Sequence, residues 1–206
     1  MIYLAFDLHI GYDWNPDQYD RIWQFQKLIR SGDTVIYGGD TYEYAWLRKE
    51  EVDSKPEYRR FKDSQTSRTY ELDGNHDLAS LEVHMQSWEL GGTTVMHGHQ
   101  FDSTCNSAWE RWYYTLAPWA RQVWFNSPWQ DKQNNNTGWQ HHNLFILGNA
   151  IRYVEPTNIK TLVLGHVHDS YRWYRNYSGK TVICVGSLPE DGVYATYDGS
   201  VMIHQI

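Results

Sequence analysis

Five short apolar runs of the sequence are each followed at once by side chains that can bind metal ions. These side chains are Asp, Asn and His, and each set comes where a predicted β-strand ends. The five sets are Asp7 with His9, Asp40 alone, Asn75 with His76, His97 with His99, and His166 with His168. A single histidine is more often structural than a ligand, and an Asp next to Gly usually marks a turn. Chance is a poor explanation for five such sets, so we predict that they share one functional site.

The donor atoms of these sets are carboxylate oxygens, amide oxygens and imidazole nitrogens, without a thiolate. Such donors suit Mn, Fe or Zn, and Mg at the more oxygen-rich position. Two cations about 3.5–4 Å apart need a carboxylate that bridges them. A pair of this kind acts as a Lewis acid on a phosphoryl oxygen and lowers the pKa of a shared water molecule. The predicted chemistry is therefore the formation of hydroxide at neutral pH next to a phosphoryl group.

The first half of the chain has the pattern of a strand, a helix and a second strand. Ile2–Phe6 is a compact apolar run that ends at an acid, and Thr34–Tyr37 is a second run of strand-forming residues. Between them, Asn15 is a candidate N-cap and Pro16 suits the first helical position. Gly32 is the predicted end of this helix. We expect the two runs to be neighbouring strands joined by the helix.

The later runs repeat the strand pattern and then change to hairpins. Strands are predicted at Arg68–Leu72, Thr93–Met96 and Thr161–Leu164. Ser-Gly at 178–179 and Asp-Gly at 198–199 are predicted turns between antiparallel strands. Together these elements predict an α/β layered fold. Open α/β sheets place their ligands at the carboxyl ends of the strands, which is where the polar sets lie.

A change of composition marks a predicted insertion at about residues 102–142. Six tryptophans lie there, and one helix face is predicted from the spacing of Trp109, Trp112, Tyr113 and Leu116. The predicted helical insertion is either an aromatic lid over the site or an ordinary hairpin packed on the main body.

Bulk properties limit the class of protein. A chain of 206 residues predicts a single domain, 1–206, and a formal net charge of -7 argues against a broad nucleic-acid-binding surface. Cys105 and Cys184 stand far apart without a Cys-x-x-Cys pair, which fits free thiols in a reducing cytosol. No signal segment opens the chain and no apolar run reaches the ~20 residues that span a bilayer. We therefore expect a cytoplasmic protein.

The motifs, taken in order, resemble the signature of the calcineurin-like metallophosphoesterase family. The matching pieces are Asp7-x-His9, Gly39-Asp40-x-x-Glu43, Gly74-Asn75-His76-Asp77, His97 and Gly165-His166-x-His168. They extend over most of the chain, and the five-part combination is far more specific than any piece alone. The resemblance implies a sandwich of two β-sheets flanked by helices.

The resemblance also implies roles for nine of the matching residues. The implied ligands of a first metal are Asp7, His9 and His168, those of a second metal are Asn75, His97 and His166, and Asp40 bridges the two. His76 matches the catalytic histidine of the family, which supplies a proton or hydrogen bond in the transition state. Glu43 stands where many members carry an Asp that orients this histidine, so its longer side chain is a departure.

A narrower resemblance points to the UDP-2,3-diacylglucosamine hydrolase branch of the family. The segments at 39–46 and 97–102 carry it, and members of that branch split a pyrophosphate in a lipid precursor and have a helical insertion. The chain departs from the branch at two positions. It retains His76 where the branch typically has arginine, and it has His99 where the branch typically has aspartate.

We therefore expect a phosphatase or phosphodiesterase in which metal-bound hydroxide attacks a small-molecule phosphoester. Two divalent cations are implied, Mn in first place and Fe, Zn or Mg as alternatives. Two other functions stay open: a pyrophosphatase that acts on a nucleotide-linked lipid or sugar, and a metal-bearing scaffold without turnover. The sequence does not indicate the oligomeric state.

Overall fold

The computed structural model describes seven stretches of the chain: residues 1–12, 17–77, 85–103, 105, 136–168, 172–175 and 178–206. Two sequence predictions fall outside these stretches. One is the helix start at Asn15 and Pro16, and the other is most of the tryptophan-rich insertion, including its predicted helix face.

The first sheet has five strands and contains both termini of the chain. In chain order its strands are β1 (Ile2–Ala5), β2 (Thr34–Tyr37), β3 (Thr69–Glu71), β9 (Val193–Tyr197) and β10 (Val201–Gln205). Their order across the sheet is β10-β9-β1-β2-β3. The pairs β1–β2 and β2–β3 are parallel, whereas β9 runs antiparallel to both β1 and β10. The carboxyl ends of β1, β2 and β3 therefore meet at one edge.

The second sheet also has five strands. In chain order they are β4 (Ser87–Leu90), β5 (Thr93–Met96), β6 (Thr161–Leu164), β7 (Arg172–Arg175) and β8 (Thr181–Cys184). Their order across the sheet is β4-β5-β6-β8-β7. The three central strands are parallel, and each edge strand is antiparallel to its neighbour. The carboxyl ends of β5 and β6, like those of the first sheet, lie side by side.

In the part of the chain that the structure describes, five helices and one 3₁₀ turn connect the strands. The helices are α1 (Gln18–Leu28), α2 (Lys49–Ser54), α3 (Pro56–Ser64), α4 (Asn136–Val154) and α5 (Leu188–Asp191), and the 3₁₀ turn is His99–Phe101. The prediction that Gly32 ends the first helix is wrong, because Ile29 is already extended, with φ -76° and ψ 128°. Within the described stretches, no helix combines the length and the apolar character needed to cross a bilayer.

The space between the two sheets is the central layer of the core. It contains the inward side chains of β1, β2, β6 and β8, which alternate along each strand with side chains of the outer faces. Leu4 and Ile36 point inward from the first sheet, and Val163 and Ile183 point inward from the second. Burial on both faces explains why these strands are continuous apolar runs in the sequence.

Each sheet also packs against helices on its outer face. Ile22, Phe25 and Phe61 cover the first sheet from α1 and α3. Ile146 and Leu147 cover the second sheet from α4. The layers are therefore helix, sheet, sheet and helix, which confirms the predicted two-sheet sandwich flanked by helices.

Gly38, which follows β2, packs so closely against a core side chain that a larger residue there should lower the stability of the protein. A Cβ placed at Gly38 would lie 2.0 Å from the ring of the fully buried Phe6. We expect Gly38→Ala to lower the free energy of unfolding by about 1–3 kcal/mol in urea denaturation, since the ring has to shift in a close-packed core. Gly148 on α4 is the control, because a Cβ there meets no atom within 4 Å. Gly148→Ala should instead gain about 0.5–1 kcal/mol, and equal stability of the two variants would contradict this packing.

Candidate metal centre

The loops that follow β1 and β2 are fastened to each other by backbone hydrogen bonds. The Asp7 amide donates to the Gly39 carbonyl at 3.1 Å, and the His9 amide donates to the Asp40 carbonyl at 2.9 Å. These bonds continue the parallel pairing of the two strands past their ends. Residues more than thirty positions apart in the sequence are thereby held in one register.

A first cluster of candidate ligands consists of Asp7, His9 and His168, whose donor atoms all lie within 4.8 Å of one another. The Asp7 Oδ1 atom lies 3.5 Å from Nε2 of His168, and the Nε2 atoms of His9 and His168 are 3.3 Å apart. These three residues are the ones that the sequence resemblance assigned to a first metal. The fold brings them together from the ends of β1 and β6.

A second cluster consists of Asp40, His97 and His166, again with donor atoms within 4.8 Å of one another. Oδ2 of Asp40 lies 3.5 Å from Nε2 of His97. The same Nε2 atom lies 2.9 Å from Oδ1 of Asp7, so His97 joins the two clusters. Both clusters therefore belong to one site at the strand ends of the two sheets.

Glu43 connects two histidines of the site. Its Oε2 atom lies 2.9 Å from Nδ1 of His9, and its Oε1 atom lies 2.6 Å from Nδ1 of His76. The Glu43 side chain is fully buried. The longer side chain, which departs from the family pattern, therefore reaches His76 and also a candidate ligand.

The loop that follows β3 contributes Asn75 and is fixed by Asp77. Asn75 is buried, as is Asp77 two positions later. The Asp77 carboxylate accepts hydrogen bonds from the Gly74 amide at 3.1 Å and from the amides of Thr41 and Tyr42 at 3.2 and 2.9 Å. Sequence reasoning gave Asp77 no role, although a short acid in a turn-rich run is a common backbone acceptor.

The backbone is strained at the candidate ligands. In the described part of the chain, the non-glycine residues with positive φ are Asp7 at 55°, His9 at 46°, Asp40 at 48°, His166 at 69° and His168 at 36°. Residues other than glycine rarely adopt this left-handed region, and such strain gathers at functional sites. All five were predicted as ligands from the sequence, whereas the other two predicted ligands, Asn75 and His97, are not among the strained residues. The strain therefore coincides with five of the seven predicted ligands.

Glycine permits the closest approach between loops at the site. A Cβ at Gly74 would lie 2.0 Å from the amide nitrogen and 2.1 Å from Oδ1 of Asp40. The Gly74 backbone therefore lies directly against this carboxylate, where any larger residue would push the loop away.

The two central carboxylates differ in their ionisation. Burial raises the pKa of Asp40 well above its usual value, even though the neighbouring His76 acts in the opposite direction. Burial also raises the pKa of Asp7, but His168 and His97 outweigh it and hold the pKa well below its usual value. The same contact acts on His168, where burial lowers the pKa but Asp7 and Glu190 raise it well above the usual value.

Other imidazoles of the site are kept neutral by burial. Burial lowers the pKa of His97 to about 4 and also lowers that of His9. His99 lies beside His97, with their Nδ1 atoms 3.1 Å apart, and burial lowers its pKa to about 2. At neutral pH these rings retain an unprotonated nitrogen, which is the form that binds a cation.

Two acids of the site were missed by sequence reasoning. Oε1 of Glu190 lies 3.1 Å from Nδ1 of His168. Asp102, which the sequence analysis included in the segment 97–102 without a role, has its Oδ2 atom 3.2 Å from Nε2 of His166 and 2.9 Å from Nε2 of His142. Glu190 comes from α5, far along the chain, and no motif marks it.

The donor set fits divalent cations. Carboxylate oxygens and neutral imidazoles, without thiolates in either main cluster, suit Mn, Fe, Zn or Mg. Asp7, His9, Asp40 and His97 are buried, His166 and His168 are partly buried, and backbone hydrogen bonds hold the loops that carry Asp7, His9 and Asp40. Little conformational ordering therefore remains for a cation to impose. An arrangement of this kind can bind a pair of cations and place them next to His76.

The chain is similar to known proteins in sequence and in fold. A family model described as calcineurin-like phosphoesterase matches residues 7–203. No curated protein sequence matches the chain significantly. Among solved structures, a dimetal phosphatase from Danio rerio is similar, with a TM-score of 0.54 and 10% identity over 98% of this chain and 94% of that one. Vacuolar protein sorting 29 from Cryptosporidium parvum has a TM-score of 0.47 and 15% identity, over 98% and 94%.

The ionisation of His168 predicts that cation binding is linked to protons. His168 is protonated at neutral pH in the cation-free protein because its pKa is raised, and a bound cation has to displace that proton. Binding should therefore weaken as the pH falls, by up to about tenfold per pH unit for each proton released. Calorimetric titration with Mn²⁺ in buffers of different ionisation enthalpy measures the number of protons. A binding enthalpy that is the same in every buffer would exclude this linkage.

Proposed function

The chain belongs to the calcineurin-like phosphoesterase family, and on this premise we propose that it hydrolyses a phosphoester bond of a small molecule with the help of two divalent cations. One observation carries the proposal. Five of the six carboxylates and imidazoles that form the two clusters adopt strained left-handed backbone, and these five come from three separate loops; the sixth, His97, does not. A purely structural polar core would not require strain at each of these positions.

The residues that would hold the cations follow from the clusters. We propose that a first cation is held by Asp7, His9 and His168, a second by Asn75, His97 and His166, and that Asp40 bridges them. The contact between Asp7 and His97 supports two cations in close neighbourhood, because it joins the two groups of donors directly.

When bound, the cations supply Lewis acidity toward phosphoryl oxygens and lower the pKa of a water molecule. Mn is the ion that we expect first, since the set mixes imidazoles with oxygen donors, and Fe, Zn or Mg are the alternatives.

His76 is the proposed general acid. Burial lowers its pKa, but the carboxylates of Glu43 and Asp40 outweigh burial and raise the pKa to about 9. The ring is therefore protonated at neutral pH and can donate to the leaving oxygen. Glu43 is suited to hold this proton in place, because burial raises its pKa but His76 and His9 lower it to about 2, which keeps the carboxylate ionised.

The exposure of the side chains indicates the side from which a substrate approaches. Asp7 is fully buried, whereas the side chain of His168 is 17% exposed and that of His76 is 8% exposed. A phosphate that enters from the solvent would therefore meet the two histidines before the buried carboxylates. This order of approach supports the proposal that His76 is the acid.

Asp40→Ala tests the role of the bridging carboxylate. We expect hydrolysis of an aryl phosphate to fall by more than about 100-fold, because loss of a direct ligand should exceed the roughly 10–100-fold that an outer partner contributes. Treatment with a chelator should abolish the activity of the parent protein, and Mn²⁺ should restore it.

The matched control for this variant is Asp63→Ala, an exposed acid on α3. It should retain the activity and the metal content of the parent protein. Full turnover by protein from which all metal has been removed would refute the proposed chemistry.

Glu43→Gln tests the acid pair. The neutral amide no longer raises the pKa of His76, so the ring loses its proton at lower pH. We expect kcat to fall by about 10–100-fold and its alkaline limb to move to lower pH. Bound cations also lower this pKa, so the comparison is made between variants that carry the same metal. Glu43→Asp keeps the charge, so the alkaline limb of its pH profile of kcat should stay in place. An alkaline limb that is unchanged in Glu43→Gln would exclude the assigned role.

A pyrophosphatase is the second candidate function. The two segments that resemble the UDP-2,3-diacylglucosamine hydrolase branch, 39–46 and 97–102, both lie at the site, with Asp40 and His97 in the second cluster. A screen of phosphomonoesters, phosphodiesters and nucleotide diphosphate esters separates the candidates by kcat/KM. A preference for the diphosphate esters favours the second candidate. A metal-loaded protein that is inert to every ester would favour the scaffold.

A further inference from the structure

Asp102 lies behind the second cluster and contacts two histidines from different elements. One carboxylate oxygen, Oδ2, lies 3.2 Å from Nε2 of His166 and 2.9 Å from Nε2 of His142. Asp102 is only 3% exposed. An ionised carboxylate can only accept hydrogen bonds, so each imidazole presents an N–H to it.

The surroundings of Asp102 connect the loops of the site to α4. Asp102 ends the 3₁₀ turn after β5, and its amide donates to the His99 carbonyl at 3.0 Å. From α4, Asn149 donates to the Phe101 carbonyl at 2.8 Å and Asn143 donates to the Val167 carbonyl at 3.3 Å. His142 is therefore one of three α4 side chains that fasten the loops carrying His97 and His166.

We infer that Asp102 is a positioning residue for the second cation, and that His142 holds Asp102 in turn. The inference rests on the proposed function, because it concerns the residue proposed to bind that cation. A hydrogen bond from Nε2 of His166 to Asp102 fixes the ring as the tautomer with an unprotonated Nδ1. A carboxylate behind a ligating histidine orients the ring and increases its basicity. The hydrogen-bonded chain from His142 through Asp102 to His166 links α4 to the metal centre.

The same side chains could instead bind a cation directly, which is an alternative to the positioning role. Asp102, Cys105 and His166 have donor atoms within 4.8 Å of one another, so they could hold a cation themselves. The Cys105 Sγ atom is 3.9 Å from Nε2 of His166, farther than the carboxylate. That site would also take His166 away from the second cluster. Hydrogen-bond distances to two imidazoles favour the carboxylate as an acceptor.

The test is a titration of the full-length, metal-depleted protein with Mn²⁺, followed by calorimetry and electron paramagnetic resonance. In the parent protein we expect two equivalents and the spectrum of an exchange-coupled Mn²⁺ pair. In Asp102→Asn the dissociation constant of one equivalent should rise roughly 10–100-fold while the other stays unchanged. At limiting Mn²⁺ its spectrum should be that of single ions.

Two further variants keep the result interpretable. His142→Ala leaves Asp102 in place, and its side chain is already 28% exposed, so it serves if Asp102→Asn does not fold. His142→Ala should raise the dissociation constant of the same Mn²⁺ equivalent by a smaller factor than Asp102→Asn does. His141→Ala removes the exposed neighbouring histidine of α4 and should change neither equivalent. Thermal unfolding in the presence of a chelator establishes that each variant is folded before it is titrated.

Each remaining outcome overturns the inference. If Asp102→Asn binds both equivalents as the parent does, or loses both equally, the inference fails while the proposed function stands. If the Co²⁺-loaded parent shows a thiolate charge-transfer band that Cys105→Ser removes, Asp102 belongs to a cation site of its own. If the parent protein binds no pair of cations, both the inference and the proposed function fail.

Discussion

Two buried carboxylates, Asp7 and Asp40, set the condition on which the rest of the site depends. A buried charge is costly unless hydrogen-bond donors or opposite charges compensate it. Here the His166 amide donates to Asp7 at 2.9 Å, the His76 amide donates to Asp40 at 2.8 Å, and imidazoles surround both acids. These donors come from loops far apart in the sequence. The need to compensate the charge of Asp7 and to satisfy the hydrogen-bonding atoms of Asp40, whose pKa burial raises, is thus a physical reason for the loops to meet.

The sandwich supplies the stability that this arrangement uses. Its central layer lies between the sheets and its outer layers lie under the helices, so the parallel strands other than the edge strand β3 are buried on both faces. Because the strands are rigid, they can hold the residues that follow them in left-handed conformations. A mobile loop would lose these conformations by relaxing. The strain at Asp7, Asp40 and His166 is therefore maintained by packing several residues away. Rigidity of this kind keeps donor atoms in place before a cation arrives.

Much of this fold could be predicted from the sequence, because its strands are short apolar runs that end in polar motifs. The strand at Thr34–Tyr37 matches the prediction residue for residue. The end of α1 at Leu28 did not follow from the pattern, since the chain extends before the glycine that normally ends a helix. The double contact of Glu43 and the position of Asp102 were also beyond the sequence. They depend on the distance between side chains of separate loops, which only the packed fold determines.

The central claim is that these loops enclose two cations next to each other. Diffraction data collected at the Mn absorption edge from crystals of Mn-loaded protein test it directly. The account predicts two anomalous peaks about 3.5–4 Å apart, one beside Asp7, His9 and His168 and the other beside His97 and His166. A single peak in fully active protein, or peaks away from these residues, would contradict it.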